Sequence, residues 1–319
     1  MKKLFKILGI LLLLVVVAIA GFAAFIAIRG IPKYEVHVPE IPKVEVTPER
    51  VQRGEKIANM LCVNCHYDKK TQKLTGRLIT EAPQFGSVYS KNITNDPEYG
   101  IGKWTDAQII YFIRTGIHPL TGQYVPPYMV KLLHISDEDM RSIVAFLRSD
   151  KPVVQASQVK QPPTDPSFLT KFLSTIAFKP FPYPEKEIPQ PDTNNVMEFG
   201  KYLTLYQMEC YACHSADFKT MNVFEPEKSA GFFGGGNEMF QPDGNKIKSM
   251  NLTSDEETGI GSWTEEQFSN ALRSGIVPSG PALRNPMVPF TPLTDREVHA
   301  MYTYLRTVPK IHNKVDRGL

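Results

Sequence analysis

Cysteine is scarce in this sequence: four in 319 residues, and none outside two pentapeptides. Tryptophan occurs twice. Charge of either sign is nearly balanced, with a net +3, which gives no footing for nucleic acid as a partner. No stretch alternates apolar and polar residues well enough to mark a strand, so the expected class is mostly α. Long apolar runs are missing too, with one exception at the N-terminus. Proline is the residue in surplus. Many of its 26 copies fall in two stretches that read as linkers.

The exception is the start of the chain. "MKKLFK" supplies three lysines, and an uncharged apolar run follows from Ile7 to Ile28, ending at Arg29. About 20 such residues make a helix that crosses a bilayer. Lysines before the span place the N-terminus in the cytoplasm and everything after Arg29 beyond the inner membrane. Ala18-Ile19-Ala20 has the small-x-small form that signal peptidase accepts, but the run continues eight residues past it. A retained single-pass anchor in a bacterial inner membrane is therefore expected, with the rest periplasmic. Cleavage would still export the chain.

An exported chain with four cysteines would ordinarily pair them as two disulfides. The spacing argues otherwise. They occur only as "CVNCH" (Cys62, Cys65, His66) and "CYACH" (Cys210, Cys213, His214). Cys-x-x-Cys-His is the c-type haem attachment pattern. Two thiols add to vinyl groups a fixed distance apart, and the adjacent imidazole comes under the ring centre. A zinc site would not need His directly after the second Cys, and a thioredoxin-like dithiol would need a βαβ context that is absent. Two copies make coincidence negligible. Two covalently bound haem c groups are expected, tethered by the four cysteines and ligated by His66 and His214. No thiol is left over as another ligand or as a nucleophile.

A second repeat lies downstream. "NITNDPEYGIGKWTDAQ" (Asn92 to Gln108) returns as "NLTSDEETGIGSWTEEQ" (Asn251 to Gln267), shifted by 159 residues. Alone, Asn-x-Thr is a glycosylation acceptor pattern, but that accounts for nothing after the third residue. The attachment motifs are shifted by only 148, so the second half carries eleven extra residues between Cys213 and Asn251. That stretch contains "GFFGGGNEMF", which lacks the Lys-Ser/Thr of a phosphate loop and reads as a flexible surface loop.

Each half reads as helices joined by long loops. Thr47-Pro48-Glu49 opens a helix that runs toward Cys62, and its counterpart should start near Thr193 or Asn195. Thr105-x-x-Gln108 and Thr264-x-x-Gln267 are capping boxes for helices that stop at Gly116 and Gly275. Ser136-x-x-Asp139 and Thr294-x-x-Glu297 open the last helix of each half.

A His-ligated iron that shuttles electrons needs a second axial partner, and methionine raises its potential. Most of the eleven methionines should be apolar filler. The repeat selects Met129 and Met287, each seven residues before the final capped helix and each in a Pro-containing loop, "VPPYMVK" or "RNPMVPF". Met140 and Met301 fall on the core stripe instead. His118, His134 and His299 have no His counterpart in the other half and read as surface or packing residues. Trp104 and Trp263 are expected to offer indole N–H groups to haem propionates, with Arg114 and Arg273 near the same charge, because a buried propionate needs donors or a cation. The plainer reading is that Trp and Arg pack and cap the same helix twice.

This order of motifs resembles the class I c-type cytochrome domains of membrane-associated multihaem cytochromes. It is similar in particular to the cytochrome c subunits of bacterial membrane-bound alcohol, gluconate and aldehyde dehydrogenases. The resemblance covers about residues 47 to 310 and implies His/Met ligation and electron transfer. Many such subunits carry three haem domains, and this chain carries two. The expected layout is a membrane anchor (1–29), a Pro-containing linker (30–46), cytochrome c domain 1 (47–150), a Pro-rich linker (151–192) and cytochrome c domain 2 (193–319). Within the second linker, "FLTKFLSTIAF" (Phe168 to Phe178) reads either as a segment packed on both domains or as a docking helix for a partner or the membrane surface. It is too short to span a bilayer.

The function implied is a membrane-anchored dihaem carrier between a quinol-oxidising complex or dehydrogenase and a soluble cytochrome or terminal oxidase. The alternative is a dihaem enzyme, a peroxidase or thiosulfate dehydrogenase, in which one haem does chemistry. The absence of a fifth cysteine counts against the thiosulfate case.

Overall fold

The computed structural model describes residues 1–316, so the last three residues of the expected second domain lie outside the described part. The apolar run forms helix α1, Lys2–Arg29. It is long and apolar enough to cross a membrane. Its side chains are almost all exposed, and only Ile26 near its end is buried against the protein.

The first helical unit follows. Helix α2 (Pro48–Leu61) starts as the sequence indicates, with Thr47 accepting from the Arg50 amide and Pro48 in the first turn. Such a cap is worth about 1 kcal/mol. One residue later α3 (Val63–His66) carries the first attachment motif. Short strands β1 (Leu78–Ile79) and β2 (Gly86–Tyr89) pair antiparallel, and α4 (Asp106–Thr115) and α5 (Asp137–Leu147) complete the unit. The Thr105/Gln108 capping box is formed, and Gly116 ends α4 in the left-handed conformation. Helices α2 and α5 cross so closely that a Cβ on Gly54 would lie 1.8 Å from the Ser142 carbonyl oxygen. Only glycine permits that crossing.

The proline-rich linker is not a free tether. Leu74 and Asn95 amides donate to the Val153 and Val154 carbonyls, and Val154 is fully buried. Strand β3 (Asp165–Pro166) pairs with β2, and α6 (Phe168–Ile176) follows, capped by Ser167. Farther on, Phe181 donates to Thr115 and Ile188 exchanges two hydrogen bonds with Asp137. The linker thus wraps the first unit.

The second unit repeats the first. Asn195 caps α7 (Val196–Lys201), α8 (Cys210–His214) carries the second attachment motif, and α9 (Glu265–Ser274) and α10 (Asp295–Leu305) are both capping-box helices. Gly200 crosses α10 as Gly54 crosses α5, with a Cβ that would meet the Ala300 oxygen at 2.0 Å. One difference lies between the crossing glycine and the first cysteine. Gly54 precedes Cys62 by eight residues and Gly200 precedes Cys210 by ten; the second helix continues as a π-helical stretch, Tyr202–Gln207, and Met208 and Glu209 separate its end from Cys210. Such bulges recur at functional positions.

The glycine-rich run is not a flexible surface loop, as the sequence suggested. Phe233 within it is fully buried, the Gly235 amide donates to the His214 carbonyl at 2.8 Å, and Asn313 donates to the Gly234 oxygen at 2.9 Å. Gly235 is the counterpart of Gly76, whose amide donates to the His66 carbonyl at the same distance. Gly76 follows His66 by ten residues and Gly235 follows His214 by 21. The extra residues therefore precede Gly235, and Gly235 itself belongs to the repeated frame. After it comes a hairpin of β4 (Glu238–Phe240) and β5 (Lys246–Lys248) that composition did not reveal.

The two units share one hydrophobic core and a polar seam. Asp139 of α5, fully buried, accepts from Arg53 on α2, from the Tyr202 hydroxyl at 2.5 Å and from Gln207 Nε2 at 2.8 Å. Tyr202 and Gln207 are the two ends of the π-helical stretch. Lys56 of α2 pairs with Glu297 in the first turn of α10. His134 donates from Nε2 to the Val223 carbonyl at 2.8 Å, and its ring lies 5.2 Å from that of Tyr206.

Candidate functional site

The attachment motifs sit on short helices whose geometry follows from what comes next. The His66 ring uses Nδ1 on the Lys91 carbonyl at 2.7 Å, and His214 uses Nδ1 on the Met250 carbonyl at 2.8 Å. A carbonyl can only accept, so each Nδ1 carries the proton and each Nε2 keeps a free lone pair. That is the tautomer a metal-binding imidazole requires, with the backbone carbonyl as its orienting partner. Burial lowers the pKa of both rings against the opposing pull of the carbonyl, which favours the neutral, ligating form.

Lys91 and Met250 are the residues immediately before the repeated loops. Asn92 and Asn251, nearly fully buried, each turn the side-chain oxygen onto the amide and hydroxyl of the Thr two residues on. Their Nδ2 groups reach across to linker or C-terminal carbonyls, Ser157 and Val159 in one half and Ile311 in the other. The loops then fold back on themselves. A Cβ on Gly100 or Gly259 would meet the Thr94 or Thr253 oxygen at 2.3 Å, so the Gly-Ile-Gly pattern reflects backbone-on-backbone packing. A glycan on either asparagine is excluded by burial. The loop fixes the carbonyl that orients the histidine, a link that no spacing in the sequence announces.

The methionine loops are built alike. Met129 donates its amide to Pro126 O and Met287 to Arg284 O, and both side chains are half-buried. Val125 and Leu283 donate to the carbonyls of Gly116 and Gly275, and Leu132 and Phe290 to those of Ile113 and Leu272. Each loop is thereby strapped to the helix that follows the repeated loop. In the second half, a cavity of about 190 Å³ is lined by Cys210, Cys213 and His214 together with Met287, Trp263 and Phe268. Its wall is largely apolar, completed by residues such as Leu272, Met301 and Leu305. This donor set fits a covalently held haem: two thiols to tether it, a lone pair on Nε2, and a thioether facing the same space.

The tryptophans and arginines take several partners. Trp104 packs edge-on against Phe112 (5.5 Å) and His118 (4.9 Å), and Trp263 lies in the cavity wall. Neither indole N–H is spent on a protein acceptor among the described residues. Arg114 is fully buried and donates to the carbonyls of Leu132, Leu133 and Ile135 and to Asp137 at 2.5 Å. Arg273 pairs with Asp295 at 2.7 Å, the equivalent of Asp137. Each arginine therefore ties the helix after the repeated loop to the start of the last helix. Both also bury an Nε with no partner among the described residues, the same orphan in both halves. His118 and His134 pack as described, and His299 is an exposed partner of Glu265.

Two buried titratable groups, one in each half, act on each other electrostatically. Lys131, two residues past Met129, is buried, and that burial pulls its pKa down to about 7. It donates to Pro126 O at 2.7 Å and lies over the Tyr124 ring. Glu209, directly before Cys210 and held at φ 48°, is pushed up to about 8 by burial, with Lys131 acting in the opposite direction. Neither residue has a repeated counterpart that would single it out in the sequence.

Residues 51–151 and 203–309 each match the cytochrome c family profile. The chain is 30% identical over 272 residues to the cytochrome c subunit of a quinone-type alcohol dehydrogenase from Gluconacetobacter polyoxogenes, covering 82% of this chain and 56% of that one. It is 28% identical to the fructose dehydrogenase cytochrome subunit of Gluconobacter japonicus, covering 81% and 52%. A diheme cytochrome c-type protein of Cereibacter sphaeroides is 26% identical, covering 78% of this chain and 82% of its own. The chain spans about half the length of the dehydrogenase subunits it matches.

Proposed function

The chain belongs to the cytochrome c family, and from that premise we propose that it is a membrane-anchored dihaem electron carrier. It takes electrons from a quinol-oxidising complex or dehydrogenase and passes them to a downstream cytochrome or oxidase on the periplasmic side of a bacterial inner membrane. The observation that carries this reading is the duplicated site: in each half a Cys pair, a His held in its ligating tautomer by the equivalent carbonyl, and a strapped methionine loop.

When bound, haem supplies a one-electron couple whose potential the protein sets through axial ligands and burial. The chain's own residues do the rest. Cys62, Cys65, Cys210 and Cys213 would tether the two haems, and His66 with Met129 and His214 with Met287 would hold their irons. Trp104, Trp263 and the unpaired Nε groups of Arg114 and Arg273 supply donors for propionate charge. The shared core and the Asp139 seam hold the two sites at a fixed separation, so that electrons need no domain motion to pass between them. The names of the relatives support a dehydrogenase as the donor.

Gentle solubilisation should bring the chain down with such a complex, and the donor's substrate should reduce both haems of the co-purified protein. A stable high-spin haem with peroxide turnover, and no reduction through a partner, would refute the carrier reading.

A further inference from the structure

Helix α6 has its polarity inside out. The helical period places Phe168, Leu169, Phe172, Leu173 and Ile176 on one arc, with Thr170 and Ser174 opposite. In an ordinary surface helix the apolar arc faces the core. Here Thr170 and Ser174 are the fully buried residues, while Phe168, Leu169 and Ile176 are about half exposed. Thr170 donates to the Phe85 carbonyl at 2.9 Å, and the Ser174 hydroxyl is buried with no partner among the described residues. The outward apolar arc implies that its surroundings are not water.

Its neighbour says what they are. Phe172 meets Phe22 of α1 edge-on at 6.5 Å, and α6 packs along the last part of that helix. Phe22 lies six residues before the end of the apolar run, about 9 Å along the axis. Amphipathic helices that lie in a bilayer interface bury their apolar face about 5–10 Å, a matching depth. The exposed arc of α6 thus continues the exposed apolar surface of α1, and Lys171 and Lys179 flank it, as suits anionic headgroups.

We propose that α6 is an interfacial helix that lies in the lipid headgroup region beside α1, and that it fixes the first unit at the membrane surface with the Met129 loop on the membrane-facing side. Phe85 is the hinge of that placement. Its carbonyl accepts from Ser167 and Thr170, and its ring contacts that of Tyr128 at 5.9 Å, directly before Met129. The first site is then the membrane-proximal one. The inference rests on α1 being a retained anchor.

The test uses the full, haem-loaded chain in phosphatidylcholine/phosphatidylglycerol liposomes. Haem attachment consumes the native thiols, so Leu169→Cys, Ile176→Cys, Val16→Cys and Glu266→Cys each carry a single nitroxide. The proposal expects oxygen to relax labels at 169 and 176 several-fold more effectively than a water-soluble nickel chelate, as at 16 and unlike 266. Labels at 169 and 176 that behave like 266 would overturn it, because the arc then faces water. Labels shielded from both reagents would overturn it in favour of a protein partner. Absence of position 16 from the purified chain would mean that α1 is cleaved, which sinks the anchor reading separately, while 169 and 176 still report on α6. Both substituted side chains are half exposed, and unchanged haem absorption certifies folding.

Discussion

Replacing Asp139 by alanine probes the seam that joins the two units. The carboxylate is fully buried and satisfies three donors: Arg53, Tyr202 and Gln207. Removing it strands a phenol, an amide and a guanidinium in a protein interior. Breaking a buried charge pair by deleting one partner costs about 3–5 kcal/mol. The Arg53 side chain is 38% exposed and can turn partly toward water, which favours the lower end, about 3 kcal/mol. For a domain of this size each kcal/mol moves Tm by roughly 2–4 °C, so the midpoint should fall by about 6–12 °C. Thermal unfolding of the solubilised, haem-loaded protein, followed by far-UV circular dichroism, reads this directly. Tyr202→Phe loses one charge-assisted hydrogen bond and should cost less, about 1.5–3 kcal/mol. In a double-mutant cycle the pair should couple by at least about 0.5 kcal/mol. A loss under 1 kcal/mol for Asp139→Ala, or strict additivity with Tyr202→Phe, would refute the view that this carboxylate organises the seam.

Further outcomes follow from the same structure. Gly54→Ala would add about 1 kcal/mol of helix propensity on an open surface. Here its Cβ would sit 1.8 Å from Ser142 O, and the overpacking cost of about 1–3 kcal/mol should exceed that gain, visible as a lower denaturant midpoint. Asn92→Ala and Asn251→Ala should each destabilise by about 1–3 kcal/mol through orphaned loop groups, and the wild-type chain should carry no glycan at either position by mass spectrometry. Acid should weaken the seam. Burial pushes the Glu297 pKa up, but hydrogen bonds from Lys56 and the Thr294 cap outweigh it and leave the net shift downward. Arg50 likewise depresses Glu138. A depressed carboxylate contributes fully above its unfolded pKa of about 4.3 and loses that contribution as pH falls through the folded value. Stability should therefore decline below about pH 4, and Glu297→Gln should flatten the decline in a pH series of melts.

Much of the architecture was legible because it depends on local chemistry. Thr47, Thr105, Thr264 and Thr294 cap their helices, and Gly116 and Gly275 end theirs, because each device acts within four residues. The two attachment motifs are equally local. What escaped was non-local. Gly235 looked like part of an inserted loop because its counterpart, Gly76, sits in a sequence with no other likeness, and only the shared bond to the carbonyls of His66 and His214 reveals the match. The carbonyls of Lys91 and Met250 do their work through backbone atoms, so their side chains carry no signal. Asp139 reads in sequence as a first-turn acid of a capped helix, and its partners on α2 and the π-helical stretch come from up to 86 residues away. The arginines of the repeat were visible, but their bonds to loop carbonyls and to Asp137 and Asp295 were not.

The central claim is that both halves carry an equivalent His/Met haem. Spectroelectrochemical titration of the full-length chain and of Met129→Ala and Met287→Ala tests it most directly. The wild type should show two one-electron steps with low-spin spectra. Each variant should lower one step's potential and alter half of the spectrum, leaving the other step in place. Two variants indistinguishable from wild type, or a wild type with a single haem step, would contradict the account.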